Sequence, residues 1–148
     1  MKAFFVSKRL AFGSAIKTKT HVKQLRALGI THVINLRRSN NRKIQKFSHL
    51  WLPFKDDMKP RPRWFYKRTL KFFRRAMKQR DARLFVMCHR GVCRSASLTY
   101  FFLRSAGKGQ NKAERKIKKA RPTARIVPAY RESGEKFLCR VRCWRMSR

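Results

Sequence analysis

Acidic side chains are what this chain has least of. Six Asp and Glu stand against 41 Lys and Arg in 148 residues, giving a formal charge of +35 and a pI near 11.8. A field of one sign attracts polyanions of every kind, including nucleic acid, acidic surfaces and phosphorylated proteins, and by itself confers no specificity. The basic residues are spread along the whole chain among apolar ones, which fits neither a basic region nor a zinc finger. Two origins remain open: a natural polyanion binder, or a surface supercharged by design while core and site were spared. The second is favoured here because the surviving acids include the adjacent pair Asp56 and Asp57.

Long apolar runs are also missing. No segment approaches the roughly 20 apolar residues of a membrane span, and the opening MKAFFVSKRLAFGS lacks the apolar core of a signal peptide. Four cysteines, Cys88, Cys93, Cys139 and Cys143, are too few for a secreted disulfide framework. A reducing, cytoplasmic setting is expected. No repeat, low-complexity tract or linker divides the chain, so residues 1–148 are read as one domain and as a monomer.

What is present is a core. The hydrophobic fraction is 43%, with 12 Phe and 3 Trp, enough to exclude a disordered basic tail. Residues 3–14 read as two short strands or a hairpin ending in a Gly-Ser turn. Residues 19–29 place Val22, Leu25 and Leu28 on one helical face, with Thr18 or Thr20 as cap and Gly29 as stop. Strands are expected at 30–36 and 49–54, and a long amphipathic helix at 60–79 with Trp64, Phe65, Leu70, Phe72, Phe73 and Met77 inward. A strand at 83–88, helices at 95–107 and 110–120, and a last helix complete the pattern. Strands alternating with helices predict an α/β domain whose central, mostly parallel, twisted sheet is flanked by helices. Ligands of such sheets sit beyond the carboxyl ends of strands, where Cys88 falls.

The stretch LFVMCHRGVCRSASLTYFFL carries the chemistry. A strand-to-helix loop gathers free backbone N–H groups and the positive end of a helix dipole, which makes it an anion site. Gly91 lets the backbone turn tightly enough to aim those donors inward. Arg94 adds a planar fork matched to two phosphate oxygens. A cysteine in that field is placed to react as thiolate, and the Ser95 hydroxyl can bond the sulfur when it leaves. The loop therefore reads as a phosphate cradle with a nucleophile at its base.

C-H-R-G-V-C-R-S resembles the Cys-x5-Arg signature of the cysteine-dependent protein tyrosine phosphatases, in the form used by the dual-specificity branch. RLAFGSAI is similar to that family's early strand and turn, ITHVINLR to its second conserved strand, and KARPTARIVPAYRESGEKFL to the region where a final helix packs. The resemblance runs from residue 4 to about residue 138. It implies that Cys88 is the nucleophile and that the backbone of His89, Arg90, Gly91, Val92, Cys93 and Arg94 holds the three non-bridging oxygens. It further implies that Arg94 stabilises their charge through an in-line displacement leaving a phosphocysteine, which water hydrolyses. Neither metal nor cofactor is implied. Leaving-group protonation needs a carboxylic acid from another loop, for which LPFKDDMKPRP offers Asp56 or Asp57. Matching the aromatic pairs of the next helix favours Asp56, counting back from the cysteine favours Asp57, and Asp56 is preferred narrowly.

Two positions depart from the family pattern. Met87 stands where His usually precedes the cysteine, which implies slower catalysis. Cys93 precedes the arginine, either as a small space-filling residue or as a thiol that traps Cys88 under oxidation. Elsewhere the plain readings prevail. His21, His32 and His49 lack ligand-like spacing. Cys139 and Cys143 have no second pair to complete a metal site and are read as core on the last helix. The Trp64-Phe65-Tyr66 cluster is read as core rather than a base-stacking platform, and His89 and Arg90 as exposed rim. Three functions follow: a phosphatase for phosphorylated protein or a small phosphate ester; a charge-driven nucleic-acid binder or RNA 5′-phosphatase-like protein, though no RNP, KH, helix-turn-helix or zinc pattern is present; and a low-activity phosphate-binding pseudophosphatase.

Overall fold

Period-two alternation sets the two faces of the sheet. In the computed structural model, which describes residues 1–146 and side chains through residue 142, five short strands form it: β1 Ala3–Ser7, β2 Leu10–Gly13, β3 His32–Asn35, β4 Ser48–Trp51 and β5 Leu84–Met87. Their order is β1-β2-β5-β3-β4. The β1-β2 hairpin is antiparallel and every other pairing is parallel, in keeping with the expected α/β architecture. Leu84 and Val86 face the larger core with Phe12 and Ile34. Phe85 and Met87 face the smaller one with Ala11 and Val33. β5 is buried on both faces, as its unbroken apolar run requires.

Helix α1 (Lys19–Ala27) and a 3-10 turn (Arg42–Lys46) cover the smaller core. Helices α2 (Arg63–Lys78), α3 (Arg94–Ser105), α4 (Gln110–Ala120) and α5 (Pro128–Met146) carry the larger one. Thr18 caps α1 by accepting the His21 N–H on its side chain at 3.1 Å. Gly29 ends the turn beyond it at φ +80°. Among the described residues no helix is long and apolar enough to cross a membrane.

Three expected core positions lie outside it. Leu28 is exposed, because the helix ends at Ala27 and Leu28 becomes its C-terminal cap. Trp64 is 55% exposed. The buried stripe of α2 runs through Phe65, Tyr66, Thr69, Leu70, Phe73 and Ala76, which leaves Trp64 on the flank with its ring edge-on to Phe65. Cys139 is exposed rather than packed, since the inward face of α5 there is made by Phe137 and Leu138. The side chain of Cys143 lies outside the described residues.

An ion pair ties α3 to α5. Arg104 on α3 grips Glu135 on α5 with two contacts, Nε to Oε1 at 2.5 Å and Nη2 to Oε2 at 3.0 Å, and the Tyr100 hydroxyl donates to the same carboxylate at 3.1 Å. Burial alone would raise the Glu135 pKa, but the Arg104 contacts outweigh it and hold the carboxyl below its ordinary value. A depressed folded-state value contributes stability that is present above the ordinary glutamate value of 4.5 and lost as the pH falls through the depressed one. Glu135→Gln is therefore expected to cost about 1–2 kcal/mol near neutrality. In denaturant titrations over pH, the gap to the parent should close on the acid side.

Candidate functional site

Three parallel strands finish side by side, and their ends build the floor of the site. Gly13 and Asn35 both pair in register with Met87. The ladder continues one residue further, with Cys88 N donating to Gly13 O at 3.3 Å and Leu36 N to Met87 O at 3.0 Å. From Cys88 the chain turns back over Gly13 into α3. Gly91 makes that turn at φ +69°, and a Cβ there would lie 2.3 Å from the Gly13 carbonyl carbon. No other residue fits without moving backbone.

Cys88 is 3% exposed. Its sulfur receives the Gly91 N–H at 3.2 Å and lies 3.2 Å from the Ser95 hydroxyl. Ser95 is fully buried. No side chain caps α3 at Cys93, so the first-turn N–H groups remain available to an anion. His89 and Arg90 are exposed at the rim, as expected. Burial first, then the Asp56 carboxylate, push the half-buried Cys93 thiol up, so that it resists ionisation. Met87 lies on the opposite face of the sheet from Cys88, fully buried in the α1-side core with Ile16 and Leu25. Its side chain packs away from the loop.

Arg94 is held from one side only. Its Nη1 donates to Leu36 O at 3.1 Å and Phe54 O at 2.8 Å, which fixes the guanidinium plane. Its Nε is buried and has no hydrogen-bond partner, a condition that no other side-chain nitrogen or oxygen among the described residues shares. The nearest carboxylate oxygen, Asp56 Oδ2, is 4.0 Å away. A buried donor without an acceptor costs about 1–3 kcal/mol, which an anion placed in the cradle would offset.

The two acids upstream separate clearly. Asp56 accepts the Tyr130 hydroxyl at 3.1 Å and faces Arg94. Burial raises the Tyr130 pKa to about 12, so the phenol stays a neutral donor. The same oxygen accepts the Met58 N–H at 3.1 Å. That bond helps hold Met58 in the left-handed region at φ 59°. Asp57 turns away from Arg94. Its Oδ1 accepts the Lys59 N–H and pairs with Arg61, each at 3.0 Å, which is a turn-stabilising role. Lys59 and Arg61 hold its carboxyl below the usual range, the Lys59 hydrogen bond foremost. Beneath the loop, Phe54 packs edge-on against Phe65 and Tyr130, and the Arg61 guanidinium lies 4.7 Å above the Phe54 ring.

Sequence reasoning missed this support. Tyr130 and Phe54 gave no local signal. Arg121 braces the outside of the loop, its Nη1 donating to Arg90 O at 3.0 Å and Gly91 O at 2.8 Å, while Arg125 N donates to Val92 O at 2.8 Å. Asn35, fully buried, accepts the Arg37 N–H at 2.9 Å and sets the turn after β3.

The family model described as "Dual specificity phosphatase, catalytic domain" matches residues 12–132, and the chain belongs to that family. Its fold is also that of several solved phosphatases. PTPMT1 is 16% identical with a TM-score of 0.84, over 99% of this chain and 100% of that one. DUSP15 is 24% identical with a TM-score of 0.79, over 91% and 86%. Human DUSP28 is 23% identical with a TM-score of 0.79, over 94% and 97%. No curated protein matches the sequence.

Proposed function

We propose that this chain is a metal-independent phosphomonoester hydrolase working through a phosphocysteine, with phosphotyrosine, phosphoserine/threonine or an aryl phosphate seated over Cys88. The observation that carries this reading is the unpartnered, buried Arg94 Nε, which ends the loop holding the Cys88 sulfur and its Gly91 N–H donor and lies 4.0 Å from Asp56 Oδ2. The Cys88 sulfur attacks phosphorus in line; an S–P bond forms as the P–O bond to the leaving group breaks. Asp56, protonated, gives its proton to the departing oxygen. As carboxylate it then takes a proton from the water that attacks phosphorus, and phosphate leaves as the S–P electron pair returns to sulfur. The Ser95 hydroxyl stabilises that sulfur. Loop N–H groups and Arg94 bind the equatorial oxygens most tightly in the transition state. Asp56 and Arg94 in one bowl favour a hydrolase over a phosphate-binding scaffold.

The test is hydrolysis of p-nitrophenyl phosphate with reductant and EDTA at moderate salt. Turnover inhibited competitively by inorganic phosphate is expected, and its absence overturns the reading. Because the site is local and nucleic-acid attraction is diffuse, raising salt should collapse oligonucleotide binding while turnover of this small ester changes little. Asp56→Asn is expected to lower kcat for phenyl phosphate by about 10² and for p-nitrophenyl phosphate by less, since a better leaving group needs less protonation. Asp57→Asn should leave kcat within about twofold, a surface turn being worth little to catalysis. The reverse ranking would reassign the acid.

A further inference from the structure

Helix α2 carries a basic stripe: Arg63, Lys67, Lys71, Arg75 and Lys78 recur at helical spacing, all exposed, in a helix without an acidic residue. Basic stripes occur elsewhere in the chain, α1 bearing Lys19, Lys23 and Arg26. What decides here is the apolar floor beside it. Leu70, Phe137 and Val141 line a groove of about 890 Å³ between α2 and α5, with Arg140 on its α5 wall. That groove runs into a narrower one of about 260 Å³, Arg63, Phe137 and Arg140 lining both. At the narrow end Tyr66 of α2 holds the two helices together. Its ring centroid lies 5.9 Å from that of Phe137, and its hydroxyl is 2.7 Å from the Ser133 hydroxyl. Among the described residues the walls carry one acid, Glu132, which is paired with Lys136 at 3.3 Å.

The floor suits apolar side chains and the walls suit carboxylates. From Arg63 to Lys78 the wall is about 22 Å long, the length of a helix of about four turns. A nucleic acid would answer the walls and leave the floor uncovered, since a phosphodiester backbone carries no apolar ridge. A bilayer surface is too flat to enter a concave groove between two helices. Nor can a second copy supply the segment, because this chain has six acids in 148 residues and no helix or loop of it holds more than two. We propose that the α2–α5 groove docks an acidic amphipathic helix of a partner protein. Its apolar ridge lies on Leu70, Phe137 and Val141, and its carboxylates face Lys67, Lys71 and Arg140. Aliphatic stems of the wall cations extend the floor outward. The narrow end closes on Arg61, which pairs with Asp57 and lies over the Phe54 ring, so the docked helix ends beside the loop that carries Asp56. Docking is separate from phosphate binding over Cys88 and does not rest on the hydrolase reading.

The probe is a synthetic peptide of about four helical turns, with Leu at i, i+3, i+4 and i+7 spacing and Glu elsewhere. A scrambled peptide of the same composition and a single-stranded oligonucleotide of the same charge are compared with it on the full chain at physiological salt. The patterned peptide is expected to bind about tenfold or more tighter than the scrambled one, because only it presents an apolar ridge. Lys67→Glu, Lys71→Glu and Arg140→Glu together should weaken it by about tenfold or more. Lys19→Glu, Lys23→Glu and Arg26→Glu, which remove the same charge from α1, should cost about threefold or less. All six positions are exposed, and thermal melts check that both variants fold. Should the groove variant fail to fold, amide shifts of the labelled parent decide: shifts gathered on Leu70, Phe137 and Val141 uphold the proposal, and shifts spread over the surface overturn it. Equal binding of patterned and scrambled peptides, equal losses in the two triple variants, or tighter binding of the oligonucleotide also overturns it. So does displacement of the peptide by inorganic phosphate beyond that by chloride at the same ionic strength, which would place it over Cys88.

Discussion

Cys88→Ser is expected to fold like the parent, bind inorganic phosphate and hydrolyse nothing above background, a loss on the order of 10⁴–10⁶ in kcat. The substitution is nearly isosteric. A serine oxygen can still receive the Gly91 N–H and meet the Ser95 hydroxyl, so the loop keeps its shape. What disappears is the sulfur that the proposed mechanism uses as nucleophile; a hydroxyl in the same place has no adjacent base to activate it. Thermal melts should coincide within a degree or two, and a calorimetric titration with phosphate should retain its heat. Residual turnover near the parent's would mean that another group attacks phosphorus.

Arg94→Lys comes second in size. In the proposed mechanism the arginine does two things at once: Nη1 anchors the side chain on the Leu36 and Phe54 carbonyls while the unpartnered Nε is left for the phosphate. Lysine has one compact head on a flexible stem and cannot anchor and reach together. A loss of about 10²–10³ in kcat is expected, the usual effect of removing one preorganised donor to transition-state charge. KM for the aryl phosphate should rise as well. Full activity in the lysine variant would show that the loop N–H groups alone carry the charge.

How much of this was legible follows from sequence distance. The loop was readable because Cys88, Gly91, Arg94 and Ser95 fall within eight residues and each needs only its near neighbours to make sense. The α/β order and the strands around β5 were readable from apolar runs and turn residues. Asp56 was preferred over Asp57 only narrowly, because the Tyr130 contact that distinguishes them comes from 74 residues away and the Met58 turn reorients the chain between them and the proline-rich entry to α2. Leu28 and Trp64 misled because both sit at helix ends, where the apolar face of a periodic pattern is no longer covered. Arg121 was invisible for a different reason. In a chain with 41 cations, one with a structural role looks like all the others until its partners are seen.

The most direct test of the phosphocysteine mechanism is to trap the intermediate. Asp56→Asn, which slows both protonation of the leaving group and activation of water, would be mixed with p-nitrophenyl phosphate, quenched in acid and mapped by peptide mass spectrometry. One phosphoryl group on the peptide carrying Cys88, bound through sulfur and absent from the Cys88→Ser control, is the predicted result. A phosphoryl group on Cys93 or on any other residue, or product released with no phosphoenzyme at any time point, would contradict it.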